Sequence, residues 1–245
     1  MTARAKRRAA HRNVSALWLG RASKSLIAVG LILILTAAYT EFVEPYFSAQ
    51  GQQQAAASIQ ADFAKNAQTS PTEVLGSELA DAQTFGVLYA PRLGADYRRP
   101  IAHSTSVDRV LNPIGVGHYK HSAMPHEAGN FALAAHRTTH GGAFNNIDQF
   151  VVGDMLFVET RWGWYGYEVV GSAVVEPKDF WVVGENALER AGLASLTGER
   201  LLTLTTCTPR YTAEQRLVVW AKQVSATPRS QGAPSEIADL ILDAR

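Results

Sequence analysis

Residues 201–216 read LLTLTTCTPRYTAEQR and contain the single cysteine of the 245-residue chain. The first six are leucines and threonines in near alternation, the pattern of a strand, and the cysteine follows them. Successive side chains of a strand face opposite ways. Leu202, Leu204 and Thr206 therefore share one face, and Thr203, Thr205 and Cys207 the other. The aliphatic pair belongs to a core, which leaves Cys207 at the strand end on the more polar face. After the loop TPRYTAEQ the pattern resumes as RLVVWAKQV. There Leu217, Val219 and Ala221 suit a core, and Arg216, Val218 and Trp220 point outward. Cys207 and Arg216 thus flank one turn on neighbouring strands. A guanidinium beside a thiol suits an anionic nucleophile and offers donors to a developing oxyanion. Arg210, inside the loop, is a second candidate for that role.

Working outward, FGVLYAPRL, GNFALAAH, DMLFVET and YGYEVVGSAVVEP are short, β-branched or aromatic, and bounded by turn formers. Helical pieces are expected around residues 118–125 and 186–191. Six or more short strands at this spacing predict a mainly β fold, an antiparallel sandwich or barrel. In FALAAH, Phe131, Leu133 and Ala135 take one face, and Ala132, Ala134 and His136 the other. The histidine ends its strand as the cysteine ends its own, and a nucleophilic cysteine works with a nearby imidazole. On spacing alone two readings stand for Cys207: a catalytic nucleophile, or a small buried thiol.

A formal net charge of +1 argues against a nucleic-acid partner, and one cysteine makes no intramolecular disulfide. The charge is unevenly spread. Arg4, Lys6, Arg7, Arg8, Arg12, Arg21 and Lys24 precede an uncharged stretch over residues 25–40. At about 1.5 Å per residue that stretch crosses most of a hydrocarbon layer of roughly 30 Å. The expected organisation is a basic cytoplasmic tail (1–24), a transmembrane helix (25–43) and an extracellular remainder, since basic residues stay inside. A cleaved signal peptide, with Thr36-Ala37-Ala38 as the cleavage triplet, is the competing reading. Residues 44–84, rich in Ala, Gln and Ser, form a stalk able to bury little. The folded domain spans 85–225, and 226–245 are a tail ending in a short amphipathic helix.

TLTTC followed closely by an arginine resembles the signature strand of the sortases. YAPRLGADYRRP resembles that family's first strands, and GVGHYKHSAMPHEAGNFALAAHRTTHGGAFNNID its segment ending in the catalytic histidine. The short cysteine-to-arginine spacing, GHY and HRTTxGxxFNxxD look most like class E sortases of high-GC Gram-positive bacteria. The resemblance covers roughly residues 85–224. It departs at His126 and Ala135, where glycine is common.

The resemblance implies an eight-stranded sortase β-barrel with short helices, and a membrane-anchored transpeptidase. Cys207 would be the nucleophile, His136 the acid/base and Arg216 the oxyanion stabiliser. Tyr119, in the region that roofs the groove, and Thr205 and Thr206, beside the nucleophile, are candidate substrate contacts. The implied reaction cleaves a Leu-Ala/Pro-X-Thr-Gly sorting signal between Thr and Gly and passes the protein to a cell-wall amine. The implied partners are sorting-signal-bearing surface proteins, a peptidoglycan precursor or cross-bridge amine, and membrane lipid. A pilus-polymerising sortase and a non-catalytic sortase-like assembly module are the alternatives. No cofactor or metal is expected. Six of the seven histidines fall between His103 and His140, but no cysteine or evident carboxylate completes a ligand set.

Overall fold

The strands expected from alternation all form, and two more complete a closed barrel. The structure, a computed structural model, describes residues 22–65, 79–193 and 200–238. Most of the basic tail, the stalk over 66–78 and the last seven residues of the C-terminal tail lie outside the described residues. The eight strands are β1 (Thr84–Tyr89), β2 (Arg98–His103), β3 (Val116–His118), β4 (Gly129–Ala134), β5 (Met155–Thr160), β6 (Gly163–Val175), β7 (Arg200–Thr208) and β8 (Gln215–Pro228). Around the barrel their order is β1-β2-β3-β4-β7-β8-β6-β5.

Two of the eight neighbour pairs, β2–β3 and β4–β7, are parallel, where an antiparallel arrangement was expected. Parallel neighbours need a long crossover. Residues 104–115 supply one, and everything between β4 and β7 supplies the other. The first crossover holds a π-helical turn, Val107–Leu111. No helix forms at 118–125, because His118 and Tyr119 run along β4. His118 pairs with Leu133, and the Tyr119 N–H donates to Ala132 O at 3.0 Å. The helical piece near 186–191 does form, as α2 (Ala187–Arg190).

The barrel interior is filled by one face of each strand, with Leu88, Ile101, Phe131, Leu133, Leu202 and Leu204 among its fully buried members. Val218 and Trp220 point out of the barrel as expected, but they are not exposed. The segment Phe180–Val183 and α2 cross over β7 and β8 there, so both are fully buried beside Val182 and Leu188. Trp220 Nε1 donates to Val182 O at 3.0 Å.

Contacts divide the chain between Glu44 and Pro45. On the first side lies the apolar part of a helical run, Ala22–Lys65, whose most apolar window has a mean hydropathy of 2.2 and no buried residue. That run is long and apolar enough to cross a membrane. On the second side its continuation, α1 (Glu44–Lys65), packs on the barrel instead of standing free as a stalk. Ala56 is sealed among Val87, Tyr89, Phe157 and Trp164, and Ile237 from the C-terminal end joins the same cluster. The Gln52 side chain donates to His140 O at 2.8 Å. Close approach there depends on Gly141, whose φ is +80° and whose missing Cβ would sit 2.9 Å from Ala49 N. Low aromatic content concealed this docking, since one phenylalanine (Phe63) and small residues carry it.

Candidate active site

The β7–β8 register sets Cys207 directly opposite Arg216. Both are half-buried. Directly opposed residues of an antiparallel pair have Cα atoms about 4.5–5.5 Å apart, so thiol and guanidinium share one end of the barrel. On the other side of β7, β4 runs parallel with Ala134 beside Thr205. The pairing continues past the strand end: the Ala135 N–H donates to Thr205 O at 3.3 Å, and Thr206 Oγ1 donates to Ala135 O at 2.8 Å. Extended by one residue, that offset brings His136 level with Cys207. Three adjacent strands thus deliver thiol, imidazole and guanidinium to one place.

Each group is held from behind. Arg216 Nη1 donates to Ala213 O at 3.0 Å and Gln215 O at 2.9 Å, which pins the guanidinium to its own turn. His136 Nε2 meets Asn112 Oδ1 at 2.7 Å, and its ring lies 5.2 Å from that of His140. Neither Asn112 nor His140 was singled out from the sequence as a site residue. Arg137 is buried and links the histidine's loop to the cysteine's strand. It donates to Asn145 O at 3.0 Å and Thr208 Oγ1 at 3.3 Å, and pairs with Asp148 at 3.1 Å. Arg210, the second candidate for oxyanion contact, is engaged elsewhere. It bonds the side chains of Asn145 and Asn146 and approaches Asp148 at 3.7 Å, fastening the β7–β8 loop to the loop after His136.

Tyr119 and Thr205 come together, with the hydroxyls 3.0 Å apart. Thr205 and Thr206 are both buried, and their hydroxyls donate to Leu133 O and Ala135 O. Their first work is to fasten the β4–β7 seam under the site. Beside Tyr119, a pocket of about 350 Å³ opens between Ser104, Lys120, His121 and Val183.

The histidine-rich segment has a packing explanation. His118 sits between Phe85 and Phe131, and its Nδ1 lies 3.2 Å from His103 Nδ1. Its Nε2 donates to Ala123 O at 3.2 Å, so Nδ1 is the bare nitrogen and His103 donates to it. Burial pushes the His118 imidazole down to about 4, and burial also lowers His103. Among the described residues no three His, Cys, Asp or Glu side chains cluster as a metal site.

A sortase domain model matches residues 88–224. Sortase E1 of Streptomyces coelicolor is 34% identical over 216 residues, which cover 86% of this chain and 58% of that protein. The match therefore spans little more than half of that relative's length. A crystal structure of sortase E1 from Streptomyces coelicolor with a tripeptide in the active site superposes with a TM-score of 0.59. It is 37% identical and covers 64% of this chain and 99% of that one. Sortase E from Streptomyces avermitilis gives a TM-score of 0.58 at 31% identity, with coverage of 64% and 99%. The barrel order, the domain match and these relatives together show that the chain belongs to the sortase family, with its likeness to class E.

Proposed function

We propose that the chain is a membrane-anchored cysteine transpeptidase. It would cleave a Leu-Ala-X-Thr-Gly or Leu-Pro-X-Thr-Gly sorting signal between Thr and Gly, and join the threonyl carbonyl to a cell-wall amine. Sortases are cysteine transpeptidases. The observation that carries the reading to particular residues is the convergence of Cys207, Arg216 and the level of His136 on β7, β8 and β4.

In the first half-reaction the Cys207 thiolate attacks the threonine carbonyl carbon, and the carbonyl electrons move onto oxygen, where Arg216 donates. Collapse breaks the C–N bond, and the His136 imidazolium gives its proton to the departing glycine amine. A thioester remains on Cys207. In the second half-reaction a neutral amine of a peptidoglycan precursor or cross-bridge attacks that thioester. Its proton passes to His136 and Cys207 leaves as thiolate, so the enzyme returns to its starting state. The tripeptide in the active site of sortase E1 supports a peptide substrate here.

Tyr119 bears on which peptide is preferred. The one hydroxyl proton of Thr205 goes to Leu133 O, so Tyr119 donates to Thr205 and keeps its own oxygen lone pairs for an incoming N–H. Alanine at the second residue of the signal supplies that N–H, whereas proline has none. The reading therefore favours Leu-Ala-X-Thr-Gly. The apolar helical run with its basic flank supports an N-terminus in the cytoplasm and the barrel outside, with surface proteins and wall precursors as partners.

One experiment tests chemistry and placement together. Protoplasts carrying the chain are given a sorting peptide and a membrane-impermeant amine in the medium. Ligated product should form outside with wild type and not with Cys207→Ala. Product from Cys207→Ala refutes the mechanism. Product from detergent-solubilised wild type but none from protoplasts refutes the outward placement.

A further inference from the structure

We propose that Asn112 is a positioning residue for the acid/base: its side-chain oxygen holds His136 as the Nε2–H tautomer, leaving Nδ1 to exchange the catalytic proton. The inference rests on the reading of His136 as acid/base. An amide oxygen only accepts, so at 2.7 Å from Asn112 Oδ1 the Nε2 atom must carry hydrogen. A neutral imidazole has one proton, so Nδ1 then bears the lone pair. The proton given to the departing amine, and the one taken from the acceptor, would both sit at Nδ1.

Local structure explains why residue 112 can do this. Asn112 closes the π-helical turn Val107–Leu111, and its own N–H donates to Val107 O at 2.9 Å. Pro113 follows and Val110 is buried in the turn, so the asparagine's backbone is fixed. The turn lies in the crossover between β2 and β3, which carries it to the far side of His136 from β7. On the histidine's own side the ring is backed by His140, and the His136 carbonyl accepts from Phe144 N–H at 3.1 Å. Cys207 on β7 and Arg216 on β8 lie at the same end of the barrel, and Arg137 and His140 belong to the histidine's own loop, with Arg137 paired to Asp148. An imidazole fixed through one nitrogen presents the other at a set angle, which is how an acid/base is kept ready for two different amines.

The test uses the full chain in detergent micelles with ¹⁵N-labelled histidine, and His136→Gln assigns the resonance. Once raised pH has brought it to the neutral imidazole, His136 of wild type should show a protonated, pyrrole-like Nε2 and a bare, pyridine-like Nδ1. Asn112→Ala should mix the tautomers and lower kcat roughly threefold to tenfold, the worth of one hydrogen bond, with KM little changed. Asn112→Asp places a carboxylate on the same N–H and should move the pH profile of kcat/KM to higher pH. A neutral His136 that keeps its proton on Nδ1 overturns the proposal, as do unchanged kcat and pH profile in both variants. Full turnover by His136→Gln would instead remove the acid/base reading, while the tautomer measurement still decides whether Asn112 holds the ring.

Discussion

On the proposed reading, the Tyr119 hydroxyl is the atom that chooses between the two sorting peptides. Its hydroxyl is half-buried and bonded to Thr205, with acceptor capacity to spare. Wild type should favour the alanine signal over the proline signal by several-fold to about tenfold in kcat/KM, the value of one net hydrogen bond. Tyr119→Phe should bring the two peptides close to parity, measured side by side at equal enzyme concentration. A preference that survives the substitution would exclude the hydroxyl as its cause. Alternation alone placed Cys207 and His136 at strand ends, each on the face opposite its leucines; their proposed roles came from the family resemblance. Asn112, Arg137 and His140 were singled out by neither as site residues. Asn112 meets His136 across 24 residues of chain, through a crossover whose path no local pattern encodes. Arg137 looks like an ordinary surface charge until its three partners are assembled.

At the level of elements, residues 44–65 of the expected stalk and 226–238 of the expected tail turn out to be parts of the barrel's outer wall. β8 runs on to Pro228, and Arg229 follows with its guanidinium 4.5 Å over Trp164 and 5.5 Å over Phe63 of α1. Arg229 Nη2 pairs with Glu159 at 2.7 Å, and the Tyr89 hydroxyl donates to the same carboxylate. Burial, and then the Glu159 charge, push that phenol well above its ordinary range. Glu159 is 1% exposed. Arg229→Ala would strand a buried carboxylate and should cost about 3–5 kcal/mol in denaturant unfolding. Adding Glu159→Gln should return part of that loss; a loss unaffected by the second change would mean that packing, not charge, is at stake. β2 was reached only through the resemblance of YAPRLGADYRRP, and not through alternation, for a related reason. RRPIAH begins with two arginines and a proline, without an alternating apolar face, yet Arg99 is buried and Pro100 pairs with Val87 within the β1–β2 ladder.

For the whole molecule, the neutral His103–His118 pair ties stability to pH. Unfolded histidine titrates near 6.5, and folded His118 near 4. Between those values the unfolded chain binds more protons, so stability is complete above about 6.5 and falls as pH drops toward 4. The loss should reach at most about 3 kcal/mol for His118, with His103 acting in the same direction. Denaturant midpoints taken from pH 7 to 4.5 should show the slope, and His118→Gln should flatten it. An equal slope in that variant would assign the effect to other groups. The class of fold was legible because strand alternation is a local signal. The parallel pairings were not, because they are set by which crossovers can span the barrel. Closure of that barrel, β5 back onto β1, has a consequence for recognition. Where the ladder is joined to itself it offers no spare row of amides and carbonyls, so over the closed part of the barrel a peptide is not recruited by adding a strand. Its main chain has to be gripped piecemeal, by side chains such as Tyr119 and by whatever the loops present. Selectivity of that kind can be rewritten by exchanging a loop, with the ladder beneath left as it is.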